Sequence, residues 1–201
     1  MTIFENTISK LLEILNPFKD PWVQLRLLAK NEPEAFSNLP IKIFLKACFY
    51  LYPQSYGTKI EKRIKTDMGY GPRKKKVGDA TKDGKNKEIK VSIIGETNQC
   101  INIRQIRMWE ECDYILCGVD LRDVDKPAIY LFEVLHSDMK EELLLIGVSN
   151  SHGTEESNKN NINIEGSSSI KVDTSDKHFC RWLQKYRIQS PWENDLDRTA
   201  V

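Results

Sequence analysis

Asp79, Glu88 and Lys90 surround a single Asp-Gly pair in the stretch "VGDATKDGKNKEIKVSIIG", Val77 to Gly95. Asp83-Gly84 is a preferred pair for a two-residue type I′ hairpin turn. Such a turn sets Lys82 against Lys85, Thr81 against Asn86 and Ala80 against Lys87, and one step further it sets Asp79 against Glu88. Opposed Cβ atoms in a hairpin lie only ~4.5–5.5 Å apart, so two carboxylates held there repel. A shared proton or a divalent cation relieves them. With oxygen donors alone the cation is hard, and Mg2+ is the natural choice. Strand alternation puts Lys90 on the side of Glu88 and turns Ile89, Val91 and Ile93 to the opposite side, toward a core. The same residues also allow a solvated hairpin in which Lys85 and Lys87 offset the acids.

The hairpin lies in the most cationic part of a nearly neutral chain of 201 residues with a net charge of +1. Lys59 to Lys90 carries twelve Lys/Arg and five Asp/Glu, a surplus of seven, which leaves the remainder at −6. That asymmetry suits a polyanionic partner, and it equally suits a solvated surface. With 40% apolar and 29% charged residues, the composition is that of a soluble globular chain of one domain. Five scattered cysteines (Cys48, Cys100, Cys112, Cys117 and Cys180) read as buried thiols of a reducing cytoplasm. No run approaches the ~18 apolar residues of a membrane span.

Helical spacing predicts helices over Ile3–Leu15, Pro21–Ala29, Pro40–Leu51 and Gly57–Lys65, the last placing Ile60 and Ile64 on one face with Glu61 beside it. "MGYGP" ends that helix and the hairpin follows. A helix is expected over Ile103–Glu111, then strands in "YILCGVDL", "AIYLFEVLH" and "ELLLIGVS", a polar stretch from Asn150 to Ser169, and an amphipathic helix in "DKHFCRWLQKYR". Phe179, Trp182 and Tyr186 on that last helix read as core. The order of elements implies an α/β chain with a mixed central β-sheet flanked by helices and an N-terminal helical region. The regions are 1–55 (helical), 57–148 (hairpin, helix and strands) and 149–201 (polar stretch and closing helix).

Asp79, a short gap, then Glu88-Ile89-Lys90 on a hairpin, with an acid in the helix before it, resembles the PD-(D/E)XK nuclease superfamily. Within it, the pattern is similar to the type II restriction endonucleases. The resemblance covers about Gly57 to His136, with Gly78 where the motif's proline often stands. It implies a restriction-endonuclease-like core, Mg2+-dependent hydrolysis of duplex DNA, and a homodimer that cuts both strands. In that scheme Asp79, Glu88 and the carbonyl of Ile89 hold Mg2+. Lys90 positions or polarises the attacking water, and Glu61 serves as a further acid. Apart from the resemblance, Glu61 is also spaced to pair with Lys65.

Arg104 and Arg107, at i and i+3 of the expected helix, share a face that suits phosphates, as do Arg73 and Lys75 in the basic run. Gln105 loosely echoes, with Trp109, the Gln-x-x-x-Tyr of RecB-like nucleases. In the polar stretch His152, Asn158, Asn161 and Asn163 have side chains suited to base edges, which makes it a recognition loop or a solvated one. Cys112 and Cys117 lack a second Cys/His pair at ligand spacing, which argues against zinc. The expected function is a sequence-specific endonuclease. The alternatives are a repair or mobile-element nuclease of the same fold, and a non-catalytic nucleic-acid-binding protein.

Overall fold

The computed structural model describes residues 20–52, 55–74, 77–95, 99–147, 149–150 and 167–197. The expected helix Ile3–Leu15, the phosphate candidate Lys75, and the base-reading candidates His152, Asn158, Asn161 and Asn163 lie outside them. The chain divides into two units, Met1–Lys59 and Ile60–Val201. Among the described residues no helix is long and apolar enough to cross a membrane.

The first unit contains helices α1 (Pro21–Asn31), α2 (Pro33–Ser37) and α3 (Ile41–Leu51). On α3 the residues Ile41, Phe44, Leu45, Ala47 and Cys48 are buried, as its nearly continuous apolar run predicts. Phe36 of α2 packs on Phe44 and Tyr52, with ring centres 5.8 and 6.0 Å apart.

Helix α4 (Tyr56–Asp67) buries Ile60 and Ile64, the expected pair. Gly69, at φ 67°, then turns the chain into β1 (Gly71–Pro72). β2 (Ala80–Lys82) and β3 (Lys85–Ile94) form the hairpin in the expected register, Ala80 with Lys87, Thr81 with Asn86 and Lys82 with Lys85. Asp83 and Gly84 both have positive φ, 52° and 79°, as a type I′ turn requires. β5 (Asp113–Asp120) lies parallel to β3, and β6 (Ala128–Val134) antiparallel to β5. With β9 (Arg187–Ile188) these strands make a mixed sheet in the order β1-β2-β3-β5-β6-β9. The protein is therefore α/β, with a mixed central sheet flanked by helices.

Parallel neighbours need a crossover connection, and here the sequence expectation fails. Ile103–Glu111 is not a helix. β4 (Cys100–Ile106) takes its first four residues, a turn takes the rest, and the strand joins a second sheet with β8 (Ser168–Asp173) and β7 (Ser149–Asn150). Between Ile103 and Ile106 the pairing slips, and Gln105 has φ 58°. That bulge returns Ile106 to the buried side, so Ile103 and Ile106 imitate the i, i+3 spacing of a helix. Arg104 and Gln105 are exposed on the bulge rather than ranged along a helix face, and the resemblance of Gln105 and Trp109 to a helical motif does not hold.

"ELLLIGVS" fails in the opposite sense. It lies mostly in helix α5 (His136–Ile146), which buries Met139, Glu142 and Leu143 and leaves Leu144 and Leu145 exposed. A short apolar run does not by itself distinguish a strand from a buried helix. The second sheet packs on the central one where Gly118 leaves room. A Cβ there would lie 2.7 Å from Cδ1 of Ile101. Ile94, Ile101, Ile103, Leu116, Phe132 and Val172 fill the space between them.

Helix α6 (Lys177–Lys185) caps this core, with the side chain of Asp176 accepting from the His178 N–H. Its Phe179 and Trp182 pack edge-on to Phe132, at 6.0 and 5.4 Å. The fully buried Glu142 of α5 ties α6 down. It accepts from Trp182 Nε1 at 2.8 Å and from the Tyr186 hydroxyl at 2.7 Å, and it pairs with Arg181. Burial opposes its charge, but the Tyr186, Trp182 and Arg181 donors hold its pKa below the usual carboxylate range. Cys48, Cys112 and Cys117 are buried as expected, whereas Cys180 is exposed on α6.

Replacing Glu142 with Ala would strand two buried donors, at about 1–3 kcal/mol each. Denaturant unfolding of Glu142→Ala should show that loss at neutral pH. In the wild type, the depressed pKa means that this contribution is present above the unfolded carboxylate's pKa and disappears as pH falls through the folded value. The deficit of the variant should therefore shrink in acid.

Candidate functional site

Residues on β3 alternate, so Lys87 and Glu88 leave the strand on opposite faces. Both are buried, at 4% and 7% exposure. Lys87 does not offset the acids of the hairpin. It shares a face with Ile89 and donates to Asp113 Oδ2 at 2.8 Å and to Glu133 Oε1 at 2.6 Å. Burial works against its ammonium, but the two carboxylates more than compensate and its pKa rises. Asp113, which also accepts from the N–H of His136 at 3.0 Å, has a lowered pKa despite its burial, chiefly through Lys87.

Glu88 is on the face that continues through Lys90, half-buried, to the buried Ser92 and Ile94. Ser92 Oγ accepts from the N–H of Asn102 at 2.9 Å, linking the motif strand to β4. The side therefore becomes core beyond Lys90, and the polar patch occupies only its first part. Lys90 Nζ lies 2.5 Å from Glu88 Oε1. Burial still raises the Glu88 pKa, since Lys90 pulls it down while the charges of Asp79 and Glu110 push it up.

Asp79 lies just beyond the last hairpin pair. Its N–H donates to the Lys87 carbonyl at 2.8 Å, and its Oδ2 accepts from the N–H of Ile89 at 3.0 Å. Asp79 thus brackets Glu88 along the backbone. In a strand, the N–H and C=O of one residue point to the same edge. The Ile89 carbonyl accordingly faces the side of Asp79 and away from β5.

Gly78 makes this approach possible. Its φ is 66°, and a Cβ would lie 2.7 Å from the Lys87 carbonyl oxygen. Its N–H donates to Glu110 Oε2 at 3.3 Å, and Arg107 donates to Glu110 Oε1 at 3.1 Å. Glu110 is the acid that sequence reasoning missed. It sits in the turn between β4 and β5, where no periodicity marks it, and the one cue in the sequence is the acid pair Glu110-Glu111 before Cys112. Ligand atoms of Glu88, Glu110 and Cys112 all lie within 4.8 Å of one another. The Cys112 thiol, buried among carboxylates, has its pKa pushed up to about 12 by burial, with Glu88 and Glu110 adding to it. Cys112 also lines an open cleft of about 380 Å³ together with Lys85, Asn86, Glu111, Asp113 and His136.

Of the residues expected to act, Asp79, Glu88, Ile89 and Lys90 come together. Glu61 forms an ion pair with Lys65 at 2.5 Å, its other predicted role. Arg107 pairs with Glu110 at 3.1 Å rather than standing with Arg104 on a helix face. Arg73 is exposed.

Searches of protein-family models and of curated proteins return no match to the chain.

Two outcomes test this geometry. Gly78→Ala should destabilise the hairpin by about 1–3 kcal/mol in denaturant unfolding, because the backbone conformation and the lost space both oppose a Cβ. Lys87→Met should cost about 3–5 kcal/mol at neutral pH, since it leaves buried Asp113 without its cation. The raised Lys87 pKa places its contribution below the unfolded lysine value, with loss above the folded one. The lowered Asp113 pKa places its contribution above the unfolded carboxylate value, with loss as pH falls through the folded one. Unfolding curves across pH should show the Lys87→Met deficit fading at both extremes.

Proposed function

We propose that this chain is a Mg2+-dependent endonuclease that hydrolyses phosphodiester bonds in duplex DNA. We read its second unit as a restriction-endonuclease-like core and the enzyme as a sequence-specific type II enzyme acting as a homodimer. One observation carries the reading: a hairpin that brings Asp79, Glu88, Ile89 and Lys90 to one end of a strand whose other neighbour is parallel. The strand order β1-β2-β3-β5, with the crossover after β3, is compatible with the PD-(D/E)XK resemblance.

The donor set fits a hard divalent cation. Glu88 is a buried acid that Lys90 compensates only in part, so a further positive charge would relieve it. Asp79, Glu88 and the Ile89 carbonyl would hold the ion. Bound Mg2+ supplies charge neutralisation at the scissile phosphate and lowers the pKa of a water. The chain's own residues do the remainder. The Ile89 N–H fixes the Asp79 carboxylate, Glu110 is oriented by Gly78 and Arg107, and the Lys90 ammonium is placed to stabilise charge that develops on phosphate oxygens. The exposed Arg73 and the basic run around it suit the phosphate backbone.

A second reading is favoured by the Lys90–Glu88 contact itself. If that ion pair is permanent, the hairpin is a structural element of a non-catalytic nucleic-acid-binding protein. Purified protein with Mg2+ and duplex DNA distinguishes the two. Discrete fragments, abolished by EDTA, are expected, and Asp79→Ala, Glu88→Ala and Lys90→Ala should each lower cleavage by about 10²–10³-fold while the protein stays folded. Undiminished cutting by Lys90→Ala would remove the assignment, and Mg2+-independent binding without cleavage would favour the second reading.

A further inference from the structure

Glu88, Glu110 and Cys112 reach one point from three places: a strand, a turn, and the residue before the next strand. Their ligand atoms lie within 4.8 Å of one another. The Cys112 N–H donates to the Glu110 carbonyl at 2.9 Å, which closes the turn between the two side chains. Glu110 is further held by the Gly78 N–H and by Arg107, so its carboxylate is positioned and not free to swing. Acids alone would signify little. The second observation is the thiol, which is 97% buried as a residue (3% exposed), sits among those carboxylates, and makes no hydrogen bond with a described residue. A buried thiol is ordinarily set in apolar surroundings. Here it faces oxygen anions.

We propose that Glu88, Glu110 and Cys112 form a second cation site, for a borderline-soft divalent ion of the zinc class, which shares Glu88 with the Mg2+ site. Two carboxylates and one thiolate are three protein ligands, and a tetrahedral ion would keep its fourth position for water or a phosphate oxygen. Bond lengths of ~2.0–2.3 Å place ligands around such an ion ~3–4 Å apart, so the three side chains need to close by only about an ångström. Sulfur biases the site away from Mg2+, which binds oxygen donors and sheds water reluctantly. On binding, the thiol gives up its proton to solvent and a sulfur–metal bond forms, with no change of oxidation state. The site deepens the nuclease reading and rests on it for its use, since the two sets of ligands would have Glu88 in common.

The test is titration of the full chain with Cd2+ and with Co2+ in excess Mg2+, followed by the thiolate-to-metal charge-transfer absorption. The wild type should develop the band at one equivalent, as should Cys100→Ser and Cys180→Ser, which remove the other thiols that are not buried. Cys112→Ser should lose the band, and Glu110→Gln should bind about tenfold more weakly. Asp79→Ala should keep the band while losing Mg2+-dependent cleavage. Absence of the band in the wild type, or its persistence in Cys112→Ser, overturns the proposal. If Cys112→Ser does not fold, unchanged affinity in Glu110→Gln overturns it equally. Cleavage without the band refutes this site alone, whereas the band without cleavage in any metal refutes the nuclease reading alone.

Discussion

One buried strand carries opposite charges on adjacent residues. Lys87 and Glu88 both leave β3 below 10% exposure, and the pleat sends them to opposite faces, so neither can neutralise the other. Each face must therefore answer its own charge. On one face the answer is complete. Asp113 from β5 and Glu133 from β6 close on Lys87, and the three central strands are joined at that end by one ammonium. On the other face Glu88 meets one half-buried lysine and two further acids. The difference between the faces is that between a closed ion network and an acid compensated only in part.

The route of the chain from β3 to β5 determines what reaches the second face. A crossover through β4 builds a second sheet on the first, and the space opened by Gly118 lets Ile101 press onto the central strand. The same route delivers Glu110 and Cys112 in the turn that re-enters the central sheet, directly before the residue that pairs with Lys87. Gly78 then lets the start of the hairpin approach β3 closely enough for its N–H to reach Glu110. The side chains around Glu88 therefore depend on backbone positions at Gly78 and in the Arg107–Cys112 turn, more than on the hairpin alone.

The hairpin was legible because two independent signals agree: an Asp-Gly pair that fixes the turn, and apolar alternation that fixes the faces. Its register follows from them residue by residue, and so do the faces of Glu88, Ile89 and Lys90. Ile60, Ile64, Phe179 and Trp182 were readable for the analogous helical reason. What escaped has a physical cause in each case. The bulge at Gln105 converts a period of two into an apparent period of three, and the apolar run Leu143–Ile146 is too short to show its period. Glu110 carries no periodic signal because it lies in a turn, and its role depends on a glycine 32 residues earlier in the chain. Lys87 read as a surface charge because nothing local announces that Asp113 and Glu133 will meet it.

Two buried glutamates of the same unit differ in how their charge is answered. Glu142 has no exposure at all, yet its pKa falls, because three donors converge on its two oxygens. The Glu88 pKa rises instead, because burial opposes its charge, Asp79 and Glu110 repel it, and among the described residues Lys90 alone offsets them. The consequence for stability has opposite signs. Ionisation of Glu142 strengthens the fold, whereas ionisation of Glu88, as pH rises from the unfolded carboxylate value through its raised folded one, weakens it. A cation that binds at Glu88 reverses that penalty and gains the difference as affinity. Burial opposes the charge of both acids. The count of donors against like charges separates them, and it leaves Glu88 as the acid that a metal ion would stabilise.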